Sequence, residues 1–266
     1  MNLKKGKVIS ITSTKGGVGK SLTTLLLANT YNSLGYSTLI IDMDLYSGSL
    51  ATILNSNNEK TVFNLVEDLS NNRYEKLEDY VYKYNDKLDL LAAPKDPRSI
   101  NKFDPKYISI IISTAIYKYD VVLIDTSHIL NTVNIVTLDN SDSILYMLTN
   151  NISDLKNSKT FSSIIKDTEL DNCYFVLNEA ISNDKSYFSM YDIKNIIKHN
   201  IDYVIPKNMY IKNINKYLMD EKTILEYKNI LYKDKKNINL FKKLAEDLIK
   251  DKEERKWKRP YLIYLK

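Results

Sequence analysis

A glycine-rich segment with two lysines, residues 15–21, limits the possible folds more than any other part of the sequence. It reads KGGVGKS, follows an apolar strand pattern over residues 7–13, and precedes a helical pattern over residues 20–34. In such a strand–loop–helix unit, glycines let backbone N–H groups approach a polyphosphate, and the helix N-terminus adds partial positive charge. We therefore expect phosphates to be bound by the segment that comprises Gly16, Gly17, Val18, Gly19, Lys20 and Ser21.

Two side chains of this segment have the chemistry needed to hold a nucleotide together with Mg²⁺. Lys20 is placed to reach the β- and γ-phosphates, and the Ser21 hydroxyl to hold Mg²⁺. Because Gly-x-Gly-Lys-Ser directly after a strand is a specific pattern, an ordinary tight turn is the less favoured interpretation.

The rest of the chain alternates between apolar strand patterns and helical patterns. Further strands are predicted at 37–42, 87–92, 120–125, 142–149, 173–178 and 202–205, and further helices at 61–69, 105–117, 153–166, 190–199 and 208–218. Near-continuous apolar strands separated by helices indicate a mostly parallel sheet covered on both faces. The sequence therefore predicts a single-domain α/β P-loop NTPase fold.

The C-terminal part has a different pattern. Residues 237–258 are predicted to form one long helix, whose apolar stripe comprises Leu240, Phe241, Leu244, Ala245, Leu248 and Ile249. Such a stripe usually packs on the domain core. We expect the ATPase-like domain to span residues 1–250 and a charged extension to span 251–266.

Composition excludes several classes of protein. Cys173 is the one cysteine, so a disulfide framework is excluded and a cytoplasmic location is expected. The two histidines, His128 and His199, have no Cys or His neighbour at metal-ligand spacing, so a histidine metal site is not expected. No apolar run reaches the length of about 18 residues that a transmembrane helix needs. The net charge of +5 permits weak binding to nucleic acid or anionic lipid without requiring either.

Carboxylates stand at the ends of two predicted strands. Asp42 and Asp44 end the second strand, and Asp125 ends the apolar strand Val121–Ile124. Because ligands of such sheets bind beyond the carboxyl ends of the strands, we expect these acids to lie near the glycine segment. A strand-terminal turn with a helix N-cap is the alternative interpretation for Asp44. Arg98 follows another strand, and we favour a solvated loop position over a charge clamp.

Together these motifs resemble the MinD/ParA family of P-loop ATPases. Residues 15–21 match its deviant Walker A motif, K-G-G-x-G-K-[ST], with Thr14 where the common motif has its first glycine. The resemblance implies binding and hydrolysis of ATP with Mg²⁺. It also implies an ATP-dependent homodimer in which Lys15 contacts the nucleotide of the partner subunit, although a solvated loop lysine is the alternative.

The same resemblance assigns roles to further residues. Catalytic roles would fall to Lys15, Lys20 and Asp44, with Asp44 orienting the attacking water, and Mg²⁺ would be held by Ser21 and Asp125. Asp42 would be more structural. Asn178, at a strand end, would read the adenine, and Pro206 would follow the next strand near the base. For Asn178, a turn residue is the less favoured alternative. Leu22 replaces a hydroxyl residue that often contacts the α-phosphate, which leaves its backbone N–H for that contact.

Three segments resemble one branch of the family, the CpaE/TadZ-like ATPases of Flp/Tad pilus assembly. They are DMDLYSGSLA at 42–51, TVFNL at 61–65 and LLAAP at 90–94. This resemblance implies a slow, partner-stimulated ATPase switch that assembles or positions a pilus or secretion machine, located in the cytoplasm or at the inner face of the cell membrane. A ParA-type DNA partition ATPase and a MinD-type membrane-positioning ATPase remain the alternatives, with nucleic acid and membrane less favoured as partners.

Overall fold

An eight-stranded sheet forms the centre of the computed structural model, which describes residues 5–168, 171–181, 187–210 and 234–250. Its strands are β1 (Lys7–Thr12), β2 (Thr38–Met43), β3 (Tyr82–Asn85), β4 (Leu88–Leu91), β5 (Val121–Thr126), β6 (Ser143–Leu148), β7 (Cys173–Asn178) and β8 (Tyr203–Ile205). The order across the sheet is β3-β4-β2-β5-β1-β6-β7-β8, and every pairing is parallel except that of β3 with β4. The carboxyl ends of the parallel strands therefore meet at one edge.

Helices cover both faces of this sheet. They are α1 (Lys20–Ser33), α2 (Leu50–Ile53), α3 (Val62–Ser70), α4 (Lys106–Ala115), α5 (Thr132–Asp139), α6 (Ile152–Asp167), α7 (Met190–Ile197) and α8 (Lys235–Ile249), with short 3-10 turns at Leu77–Asp79, Pro97–Lys102 and Lys207–Met209. Alternate residues of a strand point to opposite faces. Thus Ile9 packs with residues of α1 and α8, whereas Val8 packs with residues of α3 and α4.

Helix α8 contributes directly to the core. Phe241, Leu244, Ala245 and Leu248 are buried in the same apolar cluster as α1. The Tyr31 hydroxyl also donates a 2.8 Å hydrogen bond to the Ala245 carbonyl oxygen. The apolar stripe predicted for this helix is confirmed in its buried centre, while Leu240 and Ile249 are half-buried at its margins.

The predicted fold class is confirmed, with several local differences. Strand β3 was not predicted, because its side chains alternate between half-buried and exposed and include polar residues. Helices α2 and α5 were also not predicted. Helix α8 begins two residues earlier than expected and ends at Ile249. The predicted helix at 208–218 lies mostly outside the described residues, and its described part belongs to the turn Lys207–Met209 and Tyr210. The extension at 251–266 lies outside the described residues entirely.

The described helices also bear on the prediction about membranes. Within the four described segments, none of them combines the length and the apolar character that crossing a bilayer would require.

Candidate functional site

The glycine segment connects β1 to α1 at the carboxyl edge of the sheet. Gly17 and Gly19 have φ angles of 74° and 96°, a left-handed backbone conformation that side chains other than glycine adopt only with strain. Gly19 is the N-cap of α1, and because glycine has no side chain, it cannot cap the N–H groups of the first helical turn. The positive end of this helix is therefore turned toward the loop, where an anion would be stabilised.

A cleft of about 520 Å³ opens above this helix N-terminus. Seven of the predicted site residues line it, namely Gly16, Gly17, Gly19, Lys20, Ser21, Leu22 and Asp44. Six further residues line it that were not predicted, namely Ser47, Ser49, His128, Ala180, Ile181 and Tyr210. The volume falls within the usual range for small-molecule sites. The structure thus brings the glycine segment and the end of β2 together around one cavity.

Ser21 and Asp125 are joined directly beneath the cleft. The Ser21 hydroxyl donates to Asp125 Oδ2 at 2.5 Å, and the other carboxylate oxygen of Asp125 is buried without a hydrogen-bond partner among the described residues. Burial raises the pKa of Asp125, while the hydrogen bond from Ser21 and the charge of Lys20 act in the opposite direction. An unpartnered buried carboxylate oxygen beside a hydroxyl is a donor set that suits a hard cation.

The pair also fits the way in which Mg²⁺ is usually held in nucleotide sites. Within the described residues, no group of three or more His, Cys, Asp or Glu side chains could hold a metal by itself. Mg²⁺ commonly takes one or two protein oxygens together with water and substrate phosphates. Ser21 and Asp125 are therefore the residues that would hold it.

Asp42 lies beside Asp125 on the neighbouring strand and is equally buried. Asp42 and Asp125 are paired in the parallel ladder of β2 and β5. The Asp42 carboxylate is buried and accepts hydrogen bonds from the backbone N–H groups of Asp44, at 3.1 Å, and Leu50, at 3.2 Å. Burial raises its pKa well above the usual range, and the charge of Asp125 adds to the rise. These contacts tie the end of β2 to the start of α2.

Asp44 stands in the turn that follows β2. Its carboxylate lines the cleft and accepts a 3.2 Å hydrogen bond from the backbone N–H of Ser47. The turn closes on Gly48, where a Cβ atom would lie 2.3 Å from Ala93 Cβ and 2.9 Å from Asp42 Oδ2. This close approach requires glycine at position 48, in the same turn as Asp44.

Lys15 is half-buried on the side of the loop that faces α6. Asp154, in the first turn of α6, accepts hydrogen bonds of 2.7 Å from both the backbone N–H and the hydroxyl of Thr149. Burial raises the pKa of Asp154, and the charge of Lys15 is among the influences that lower it. In this single chain, the charge of Lys15 thus acts on a carboxylate of α6.

Asn178 forms hydrogen bonds with the loop itself. Its side-chain N–H donates to the Val18 carbonyl oxygen at 2.9 Å, and its side-chain oxygen accepts from the Ala180 N–H at 2.9 Å. A Cβ atom on Gly19 would lie 2.5 Å from Asn178 Nδ2. Asn178 therefore positions the phosphate loop, and one N–H of its amide remains for another partner.

Two other predicted positions lie at the margin of the site. Pro206 follows β8, whose last residue, Ile205, pairs with Asn178. Arg98 is exposed and forms a 2.7 Å ion pair with Asp96. The interpretation of Arg98 as a loop residue agrees with this position.

Some of the unpredicted residues that line the cleft could have been identified from the sequence, and others could not. His128 stands three residues after Asp125, a spacing that places it at the same edge of the sheet. Ser47 and Ser49 belong to the segment after β2 that was already singled out. Ala180, Ile181 and Tyr210 carry no local sequence signal, because their positions depend on how the ends of β7 and β8 approach the loop.

A glycine loop at a helix N-terminus, flanked by strand-end carboxylates on a parallel sheet, defines a P-loop nucleotide-binding protein. A family model described as an AAA domain (AAA_31) matches residues 6–169, more than half of the chain. The septum site-determining protein MinD of Helicobacter pylori is 29% identical over 158 residues, which cover 59% of this chain and 58% of that protein. The chain belongs to the MinD/ParA family of P-loop ATPases.

Solved structures agree with this fold. A ParA family ATPase from Chlorobium tepidum has a TM-score of 0.76 at 20% identity, covering 91% of this chain and 99% of that one. MinD from Pyrococcus horikoshii, solved in complex with Mg-ADP, has a TM-score of 0.72 at 22% identity, covering 96% of this chain and 100% of that one. At these identities the likeness concerns the fold. The chain spans less than three-fifths of the length of the first curated relatives it matches.

Proposed function

We propose that this protein is an ATP-binding and ATP-hydrolysing dimerisation switch. The observation that carries the proposal is the junction of Ser21 and Asp125 at 2.5 Å beneath a cleft that Lys20 and Asp44 line. These groups supply a cation for the phosphates, oxygens for Mg²⁺ and a carboxylate beside the cleft. The Mg-ADP bound to the related MinD of similar fold supports the choice of ligand.

Each residue would contribute through position and charge. The backbone N–H groups of residues 16–21 would bind phosphate oxygens, and buried Lys20 would neutralise the β- and γ-phosphates. Ser21 and Asp125 would hold Mg²⁺, which supplies positive charge to the phosphate oxygens when bound. Asp44 would orient a water for in-line attack, since it lies in the cleft and, among the described residues, its carboxylate accepts a single backbone hydrogen bond, from the Ser47 N–H.

Calorimetry with Mg-ATP tests this proposal. Replacing Lys20 by Ala should abolish measurable binding, because the buried ammonium is the main cation for the phosphates. Lys242→Ala provides a matched control, since Lys242 is exposed on α8, far along the chain from the loop. Equal affinity of the wild type and Lys20→Ala would refute the proposed site.

We further propose that the switch acts in the assembly or positioning of a pilus or secretion machine. The support is the likeness of residues 42–51, 61–65 and 90–94 to the CpaE/TadZ-like branch. Residues 42–51 comprise the end of β2, the turn that carries Asp44 and the start of α2, so the likeness falls on part of the cleft. The partner would be a component of that machine, and the ATPase would be slow until the partner binds.

A MinD-type or ParA-type role is the second candidate, which the match to MinD over 158 residues favours. Vesicle co-sedimentation with Mg-ATP separates the possibilities when the full chain is compared with a chain ending at Lys250. Strong ATP-dependent lipid binding that is lost on truncation would favour the MinD-type role. DNA binding that weakens steeply with salt would favour the ParA-type role. The pilus or secretion role predicts neither result.

A further inference from the structure

His128 occupies a position in the cleft that the proposed phosphate site leaves unexplained. It lies on the loop between β5 and α5, and its imidazole faces Gly16, where a Cβ atom would be 3.7 Å from His128 Nδ1. It lines the same cleft as Lys20 and Asp44. The side chain is exposed and forms no hydrogen bond or ion pair with any residue in the described segments.

The backbone on either side of His128 is held firmly. Asn134 is a buried residue of α5, and its side-chain N–H groups donate to the carbonyl oxygens of Ser127, at 2.9 Å, and Ile129, at 2.6 Å. The Asn134 backbone N–H in turn donates to the side chain of Asn131, the N-cap of α5. The backbone that carries His128 is therefore fixed beside the cleft, which limits the positions that the imidazole can take.

The sheet order places His128 and Asn178 on opposite flanks of the phosphate loop. β5, which leads to His128, lies next to β1 on one side, whereas β7, which ends at Asn178, lies beyond β6 on the other. Correspondingly, Gly16 faces His128 and Gly19 faces Asn178. If the base lies on the flank of Asn178 and Pro206, the phosphate chain runs toward Gly16, so that its terminal phosphate lies beside His128.

We propose that His128 donates a hydrogen bond to the terminal phosphate of a bound nucleoside triphosphate and thereby helps the site to distinguish triphosphate from diphosphate. This inference rests on the proposed ATP site. An imidazole carries an N–H donor in either tautomer, whereas the neighbouring Asp44 carboxylate can only accept. A hydrogen bond to a charged phosphate is also stronger than one between neutral groups.

Nuclear magnetic resonance of the full chain tests the contact directly, because the protein has only two histidines. The Cε1–H signal of His128 should shift with Mg-AMPPNP and shift much less with Mg-ADP. His199 is an internal control, since its ring stacks on Phe175 with centroids 4.0 Å apart. It should respond to neither nucleotide. Equal responses of His128 to the two nucleotides would overturn the proposal.

Calorimetry provides the matching energetic measurement. His128→Ala should weaken the binding of Mg-AMPPNP about tenfold, as expected for the loss of one hydrogen bond to a charged group. The affinity for Mg-ADP should stay within about twofold of the wild-type value. His128→Gln, which keeps an N–H donor, should recover part of the loss. If His128→Ala lost affinity equally for both nucleotides, or lost none, the proposed role of His128 would be wrong, although the ATP site itself would still be supported. A wild-type protein that binds neither nucleotide would instead refute the ATP site itself, and this inference with it.

Discussion

Replacing Asn178 by Ala should destabilise the protein and loosen the phosphate loop. The Asn178 side chain is 5% exposed and joins two backbone groups, the Val18 carbonyl and the Ala180 N–H, each at 2.9 Å. A neutral hydrogen bond contributes about 1 kcal/mol net, and a buried group left without a partner costs about 1–3 kcal/mol. We expect the free energy of unfolding to fall by about 2 kcal/mol.

The same substitution should weaken the binding of ATP and of GTP by a similar factor. Val18 lies inside the loop, so losing its hydrogen bond disturbs the N–H groups that would bind phosphates, whichever base is attached. A role in reading adenine, expected from the family resemblance, would instead weaken ATP alone, because the remaining N–H of Asn178 would contact the base. Calorimetry with both nucleotides separates these two roles of Asn178.

Urea denaturation followed by circular dichroism measures the predicted change in stability. Asn195→Ala is the matched control, since Asn195 is exposed on α7 and should change the free energy of unfolding by no more than about 0.5 kcal/mol. If Asn178→Ala also changed the free energy by less than this amount, the proposed positioning of the loop by Asn178 would be wrong.

Two further predictions concern the end of β2 and the proposed dimer. Gly48→Ala should lower the free energy of unfolding by about 1–3 kcal/mol, because its Cβ would lie 2.3 Å from Ala93 Cβ, whereas Ser47→Ala, at an exposed neighbour, should be nearly neutral in the same denaturation assay. Asp44→Ala should bind ATP without hydrolysing it and form a dimer in light scattering, and adding Lys15→Ala should return the protein to a monomer. A monomer of Asp44→Ala at saturating ATP would contradict the proposed switch.

Much of the fold could be predicted because its signals are local. Seven strands are near-continuous apolar runs, and their alternation with helices indicates a parallel sheet. β3 could not be found in this way, since an edge strand with polar side chains lacks such a run. Helix α5 was hidden for a related reason. Val133 and Leu138 are buried but Ile135 is exposed, so its apolar residues form no single stripe.

The candidate site likewise has a part that the sequence could predict and a part that it could not. The glycine segment and the strand-end acids were visible as motifs, and the structure brings Lys20, Ser21, Asp44 and Asp125 together at one edge. The contacts of Asn178 with Val18 were not visible, because they join residues 160 positions apart in the chain. The roles of these site residues in nucleotide binding remain predictions.

The amino-acid sequence alone determined the alternating elements, the phosphate-loop motif and the family, because these depend on residue types at short spacing. The tertiary structure alone decided which side chains share the cleft, that His128 faces Gly16 and that the charge of Lys15 acts on Asp154. Such relations depend on the order of strands in the sheet and on loop backbones fixed by distant side chains. Short-range patterns carry no information about either, since packing brings the contacting groups together only when the whole sheet has formed.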